Sequence, residues 1–186
     1  MASVANGISG SRPGEGDPQW ARTIIGVLKA YNIRFLNLVP DAIGERLLRV
    51  ARGDPTFEIL PLTREEEGVG VVCGQAVGGA RGVLMMPTSG LGNTLNALAL
   101  LAIPYRIPLP MIIGFRGDLG EFNAAQVPMG QATPAVLAAL NIPAFTLTRE
   151  DEVERVTDGA LKLTYANEGP VALLISTQLA GWKNEK

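Results

Sequence analysis

Three consecutive carboxylates, Glu65, Glu66 and Glu67, are the first residues in this sequence whose type and spacing could do chemistry. They lie in Thr63-Arg64-Glu65-Glu66-Glu67-Gly68, after the apolar run Phe57-Glu58-Ile59-Leu60-Pro61-Leu62 and before a small-residue stretch from Val69 to Gly78. The run reads as a buried strand and the stretch as a helix, so the triplet stands at a strand-to-helix junction. In a parallel α/β sheet such junctions border the ligand crevice, where a carboxylate can exchange protons with what is bound. A structural reading is also open. Glutamates in a first helical turn complement the helix macrodipole, each by about 0.3–1 kcal/mol.

Other polar residues fall just past apolar runs in the same way. Asp41 follows Arg34–Val39, Ser89 follows Gly82–Pro87 and Arg116 follows Leu109–Phe115. In a parallel sheet all of them emerge on one edge with Glu65. Thr88-Ser89-Gly90-Leu91-Gly92-Asn93 has two glycines that let a ligand approach the backbone, and N–H groups at a helix start attract anions or ring acceptors. The same segment is equally a tight turn with Ser89 as the N-cap. Arg116 could clamp a carboxylate, sulfonate or phosphonate through its planar fork of donors, or it could hold Asp118 or Glu121.

The elements that must position these residues alternate. Strand-like runs occupy Arg34–Val39, Phe57–Leu62, Gly82–Pro87, Leu109–Phe115, Ala144–Leu147 and Pro170–Ser176, all apolar enough for burial on both faces. Helix-like stretches lie at 41–52, 65–79, 91–103, 133–140 and 150–166. A further helix enters through Pro18, with Trp20, Ile24, Ile25, Val27, Leu28 and Tyr31 spaced for one face. Arg116 to Ala132 shows no periodicity and reads as a functional loop. Single helices between strands predict an α/β fold with one parallel six-stranded sheet and helices on both faces. Residues 1–17 are Gly/Ser-rich and read as a disordered arm; 18–186 suit one domain, as 186 residues require no second.

Composition excludes several functions. With 16 Lys and Arg against 18 Asp and Glu there is no basic footprint for nucleic acid. Histidine is absent, which removes histidine triads, histidine metal sites and histidine bases. The single Cys73 reads as a buried, inert thiol. No 18-residue apolar span or apolar leader occurs, so a cytoplasmic protein without a membrane segment is expected. Neither GxGxxG after a strand nor GxxxxGK[ST] is present.

Glu65 with Gly74 nine positions on, the Ser89-Gly90-Leu91-Gly92-Asn93 segment, Val39-Pro40-Asp41, Arg116-Gly117-Asp118 and Ala125-Gln126-Val127-Pro128-Met129-Gly130 occur in an order that resembles thiamine diphosphate-dependent sulfopyruvate and phosphonopyruvate decarboxylases. The resemblance spans most of 20–176 and is nearest to the sulfopyruvate decarboxylase α-subunit family, which carries the pyrimidine-binding domain. It implies that Glu65 is catalytic, exchanging a proton with ring nitrogen N1′ of the cofactor, and that Ser89, Gly90, Leu91, Gly92 and Asn93 bind the cofactor with it. It also implies that Asp41, Arg116 and Gln126 meet an anionic 2-oxo acid. The Gly-Asp-Gly with downstream Asn that holds magnesium and diphosphate in such enzymes is missing, so the resemblance implies a β subunit supplying both in a hetero-oligomer, with no metal ligand on this chain. A binding or regulatory subunit that keeps the fold without the chemistry is the other reading, and a phosphonopyruvate decarboxylase or a carboligase is the variant within enzymes.

Overall fold

A computed structural model of the chain describes residues 16–181. Residues 1–15 of the expected arm and 182–186 lie outside the described residues. Asp17 belongs to the folded part, since its carboxylate takes an ion pair from Arg49 at 3.4 Å.

Six strands, β1 (Phe35–Leu38), β2 (Glu58–Pro61), β3 (Gly82–Pro87), β4 (Leu109–Phe115), β5 (Ala144–Leu147) and β6 (Pro170–Ser176), form one sheet in the order β2-β1-β3-β4-β6-β5. Every pairing is parallel. The first two strands are shorter than their apolar runs, although Glu58 N–H to Arg34 O and Leu62 N–H to Leu38 O, both 2.8 Å, continue the ladder past each end. The expectation of burial on both faces holds for the inner strands and fails for β2 and β5. These are the sheet edges, and Leu60 and Phe145 there are exposed.

The inner strands sort their side chains by alternation. Val83, Met85, Ile112, Val171, Leu173 and Ile175 join a core with α1 (Gln19–Ala30), α2 (Gly44–Ala51) and α6 (Val153–Asn167). Leu84, Met86, Met111, Ile113, Ala172 and Leu174 face the other way, onto α3 (Glu65–Val77), α4 (Thr88–Ala97) and α5 (Val127–Ala139). A period of two on strands buried twice gives two cores, one per face. Helix α1 enters after Pro18 as its spacing predicts, with Trp20, Ala21, Ile24, Ile25 and Leu28 buried. A short α7 (Thr177–Ala180) follows β6. Among the described residues no helix is long and apolar enough to cross a membrane.

Four helix starts differ from expectation by three residues or more: α2 begins at Gly44, not residue 41, and α6 at Val153, not residue 150, after a 3₁₀ turn at Glu150–Glu152. Helix α4 begins at Thr88, not residue 91, with Pro87 before it, so Ser89 lies inside the first turn and is not the N-cap. It runs into a π-helical turn at Leu98–Ala102. Helix α5 begins at Val127, not residue 133, after a 3₁₀ turn at Ala124–Gln126, which shortens the irregular stretch to 116–126. Its buried positions are Gly130, Thr133 and Leu137, spaced correctly for a helix but too small and polar to show as an apolar stripe.

Two polar arrangements hold this frame. Asn37 is fully buried in β1 and exchanges two 2.9 Å amide hydrogen bonds with Gln75 of α3, while its Nδ2 also donates to Val83 O. The 116–126 connection is tied by Arg116, whose Nε and Nη2 donate to the two oxygens of Glu121 at 2.5 and 2.6 Å. Glu121 accepts further from Gly117 N–H and Asn123 N–H. Its side chain is 2 % exposed, so the pair is shielded from bulk solvent. The hydrogen bond from Arg116, against the opposing effect of burial and with help from the two N–H groups, holds the Glu121 carboxyl down to about 2.

Asn37→Ala leaves the Gln75 amide without its partner and is expected to lower stability by about 1–3 kcal/mol in urea denaturation. A change near zero would mean that water replaces the pair. For Glu121 the folded value lies below the ordinary 4.5, so its stabilisation is complete above that pH and is lost as pH falls through about 2. The urea midpoint of Glu121→Gln should therefore fall less steeply than that of the native chain between pH 4.5 and 2; parallel curves would show that the ion pair adds nothing.

Candidate active site

The strand order places the topological switch between β1 and β3, and the connections leaving the carboxyl ends of β1 to β4 all surround it. Glu65, Asp41, Ser89 and Arg116 emerge there, each one to four residues past its strand.

Glu65 is the first residue of α3 and is 8 % exposed, whereas Glu66 and Glu67 are exposed. The three differ because α3 is pressed onto the sheet along Glu65, Gly68, Val69, Val72 and Cys73. Gly68 leaves the room for this: a Cβ there would run into the side chains of Leu84 and Leu62. The outward glutamates have local partners. Glu66 pairs with Arg64 at 3.1 Å, and Glu67 Oε2 accepts from Thr63 N–H at 2.9 Å. Both act as residues of a helix start, which is the structural alternative for the triplet. Cys73 is buried, and burial pushes its thiol up to about 11, consistent with an inert packing residue.

Glu65 points at the first turns of α4. Its Oε2 accepts from Asn93 Nδ2 at 2.9 Å, and Oε1 has no hydrogen-bond partner among the described residues. Gly90 faces it so closely that a Cβ would collide with Cγ and Oε1 of Glu65. Thus the structure brings together Glu65, Gly90 and Asn93. Ser89 and Gly92 are exposed on α4, and Leu91 is fully buried in the core beneath it. The methyl of Met129, in α5, lies against Gly92.

Asp41 is partly buried in the turn before α2. Its Oδ1 accepts from Gly44 N–H at 2.9 Å and its Oδ2 from Ile43 N–H at 3.1 Å. Burial raises its pKa, opposed by those two N–H groups and by the charge of Arg116. Arg116 takes the structural partner of its two alternatives, Glu121, while Asp118 accepts from Ser176 Oγ at 3.2 Å. Gln126 precedes α5, and its Oε1 is buried without a hydrogen-bond partner among the described residues. A small cavity of about 40 Å³ opens beside Arg116, lined also by Ile43, Arg46, Glu121, Phe122 and Thr177. Arg46 is absent from the set expected from the sequence. The available signal was its position in the first turn of α2, where a cation opposes the helix dipole.

No protein-family model matches the chain. It is 39 % identical over 154 residues to the sulfopyruvate decarboxylase subunit alpha of Methanococcus maripaludis, covering 83 % of this chain and 91 % of that protein. It is 42 % identical over 134 residues to the subunit alpha of Methanothermobacter thermautotrophicus, covering 72 % and 81 %. A longer sulfopyruvate decarboxylase from Methanosarcina acetivorans is 31 % identical over 157 residues, which are 84 % of this chain but 40 % of that protein. With full-length relatives above 30 % identity, and a fold whose sheet edge gathers the residues that carry the likeness, this chain belongs to the sulfopyruvate decarboxylase alpha-subunit family.

Proposed function

We propose that this chain is the α subunit of a thiamine diphosphate-dependent 2-oxo acid decarboxylase and supplies the carboxylate that meets the cofactor's aminopyrimidine ring. The observation that carries this reading is Glu65: a nearly buried carboxylate at the carboxyl edge of a parallel sheet, with one oxygen held by Asn93 and the other free of a protein partner among the described residues. A ring nitrogen that gains and loses a proton requires such a group, and the residues present fit it. When bound, thiamine diphosphate supplies the nucleophilic carbon and the electron sink for loss of carbon dioxide from a 2-oxo acid.

The chain's own contribution is placement and proton handling. Asn93 fixes the Glu65 carboxylate, and the absence of a side chain at Gly90 keeps that carboxylate beside the start of α4. Exposed Ser89 and Gly92 leave the backbone of α4 approachable, which supports a flat ring seated there. Glu65 can then hold a proton at N1′ or take it back. On the substrate side, Asp41, whose pKa burial raises, Gln126 and Arg116 border the sheet edge where an anionic 2-oxo acid would enter.

Magnesium and diphosphate are assigned to a partner chain. Among the described residues no three His, Cys, Asp or Glu side chains gather as a cation would need, and the relatives above are named as alpha subunits. The outer face of α3 supports a partner as well: Gly70 and Gly74 are exposed with open space above them, and Val77 is 78 % exposed.

Glu65→Gln keeps the side-chain volume and removes the exchangeable proton. In the complex assembled with its β chain, loaded with thiamine diphosphate and magnesium, exchange of the thiazolium C2 proton should slow by about 10²–10⁴. Glu66→Gln and Glu67→Gln should exchange near the native rate, because these side chains face outward. Equal slowing in Glu66→Gln would show that the wrong glutamate is assigned, and native exchange in all three would remove the proton role.

A further inference from the structure

Resting on the reading that this site takes an anionic 2-oxo acid, we infer that Arg46, with the small cavity it shares with Arg116 and Glu121, is the subsite for the substrate's distal anionic group. Arg116 is the more obvious cation at this edge, but its charge is already matched. Glu121 binds it through both oxygens, and those oxygens also accept from Gly117 and Asn123. Asp41 is likewise committed, with one oxygen on Ile43 N–H and the other on Gly44 N–H. Both carboxylates are therefore occupied. No hydrogen bond or ion pair reaches the guanidinium of Arg46 from the described residues. Its neighbour Glu45 is turned away, bound to Arg52 at 2.6 and 3.1 Å.

An uncompensated cation at this position has no structural reward. Arg46 lies in the first turn of α2, where the helix N-terminus is itself positive, so the charge costs stability in the chain alone. It is partly buried; loss of solvent, and then the like charge of Arg49, lowers its pKa. Both penalties reverse when an anion enters: helix end, guanidinium and partial desolvation all then favour binding. The cavity, about 40 Å³, has room for a small charged head group beside the guanidinium. Ile43, Phe122 and Thr177 line the rest, and the Thr177 hydroxyl is already donated to Leu119 O at 2.6 Å, which leaves Arg46 as the lining cation without a carboxylate partner among the described residues.

Two measurements on the assembled complex test this. The first compares kcat/KM for 3-sulfopyruvate with that for pyruvate, which lacks the distal anion. Arg46→Ala should lower the ratio of the two by about 10- to 100-fold, the loss of one charge-assisted hydrogen bond, with partial recovery in Arg46→Lys. An equal change for both substrates, or none, overturns the subsite. The second needs no turnover: phenylglyoxal modification of native arginines is followed peptide by peptide. Sulfoacetate should protect Arg46 where acetate does not; protection of Arg116 with Arg46 left reactive, or no protection, overturns the inference. A complex that decarboxylates neither 2-oxo acid yet shows sulfoacetate protection at Arg46 would remove the proposed decarboxylase reading and leave the anion subsite standing.

Discussion

Everything at the candidate site depends on how closely α3 is seated against the sheet and against α4. A carboxylate can stand at a buried junction only if space and hydrogen bonds are both provided, since an unpaired buried charge is costly. Gly68 admits the side chains of Leu62 and Leu84 where a Cβ would stand, and Gly90 does the same for Glu65. With α3 held at that rotation, the residues at Glu65, Gly68, Val69 and Val72 turn inward and Glu66 and Glu67 cannot. Asn93 supplies one compensating donor, and the helix dipole at the start of α3 favours a negative group there. One steric constraint therefore selects which of three adjacent glutamates is presented to the crevice.

The same edge collects positive ends of helices. In a parallel sheet each helix follows the carboxyl end of its strand, so α2, α3 and α4 all begin there. Their combined field favours negative groups, and the chain supplies some of its own. Asp41 closes the turn into α2, Glu66 and Glu67 serve the start of α3, and Glu121 neutralises Arg116. Arg46 runs against that pattern, adding a cation to a helix start that already carries partial positive charge. Stability and ligand binding make opposite demands at that one turn of α2.

The fold was readable where apolar β-branched runs alternate with helices: the ranges of β3 to β6 are those the runs predict, and the parallel α/β class follows from the alternation. It was less readable where small residues carry the packing. Helix α5 buries Gly130, Thr133 and Leu137, and Pro128 and Pro134 interrupt its composition, so the segment resembled a loop in sequence. The start of α4 was hidden by the glycines of Ser89-Gly90-Leu91-Gly92, which read as a turn although they form the helix's first turns. Edge strands cannot be told from central ones by composition alone, because exposure of Leu60 and Phe145 follows from the order of strands in space. At the site, Glu65 was picked out among its neighbours by a family likeness, and burial now gives a physical reason for singling it out. Arg46 is not legible in the sequence, because one arginine in an amphipathic helix looks like ordinary surface charge and only the hydrogen bonds of its neighbours set it apart.

Helix α3 also shows why a chain can be well packed on one side and costly on the other. Gly70 and Gly74 are exposed in its interior, with nothing within 4 Å of where a Cβ would stand. Each such glycine gives up about 0.5–1 kcal/mol relative to alanine, and no contact among the described residues repays it. Gly68 on the opposite side has a packing reason of the same kind, which is the close approach of Leu62 and Leu84. The contrast between the two sides separates what α3 does for its own fold from what it leaves unused. Val77 continues the outer face past Gly74 as an exposed apolar residue, so the surface is flat near the middle of the helix and apolar at its end. A second chain seated on that face would meet bare backbone at Gly70 and Gly74 and apolar contact at Val77, on the side of α3 opposite the inward-facing Glu65.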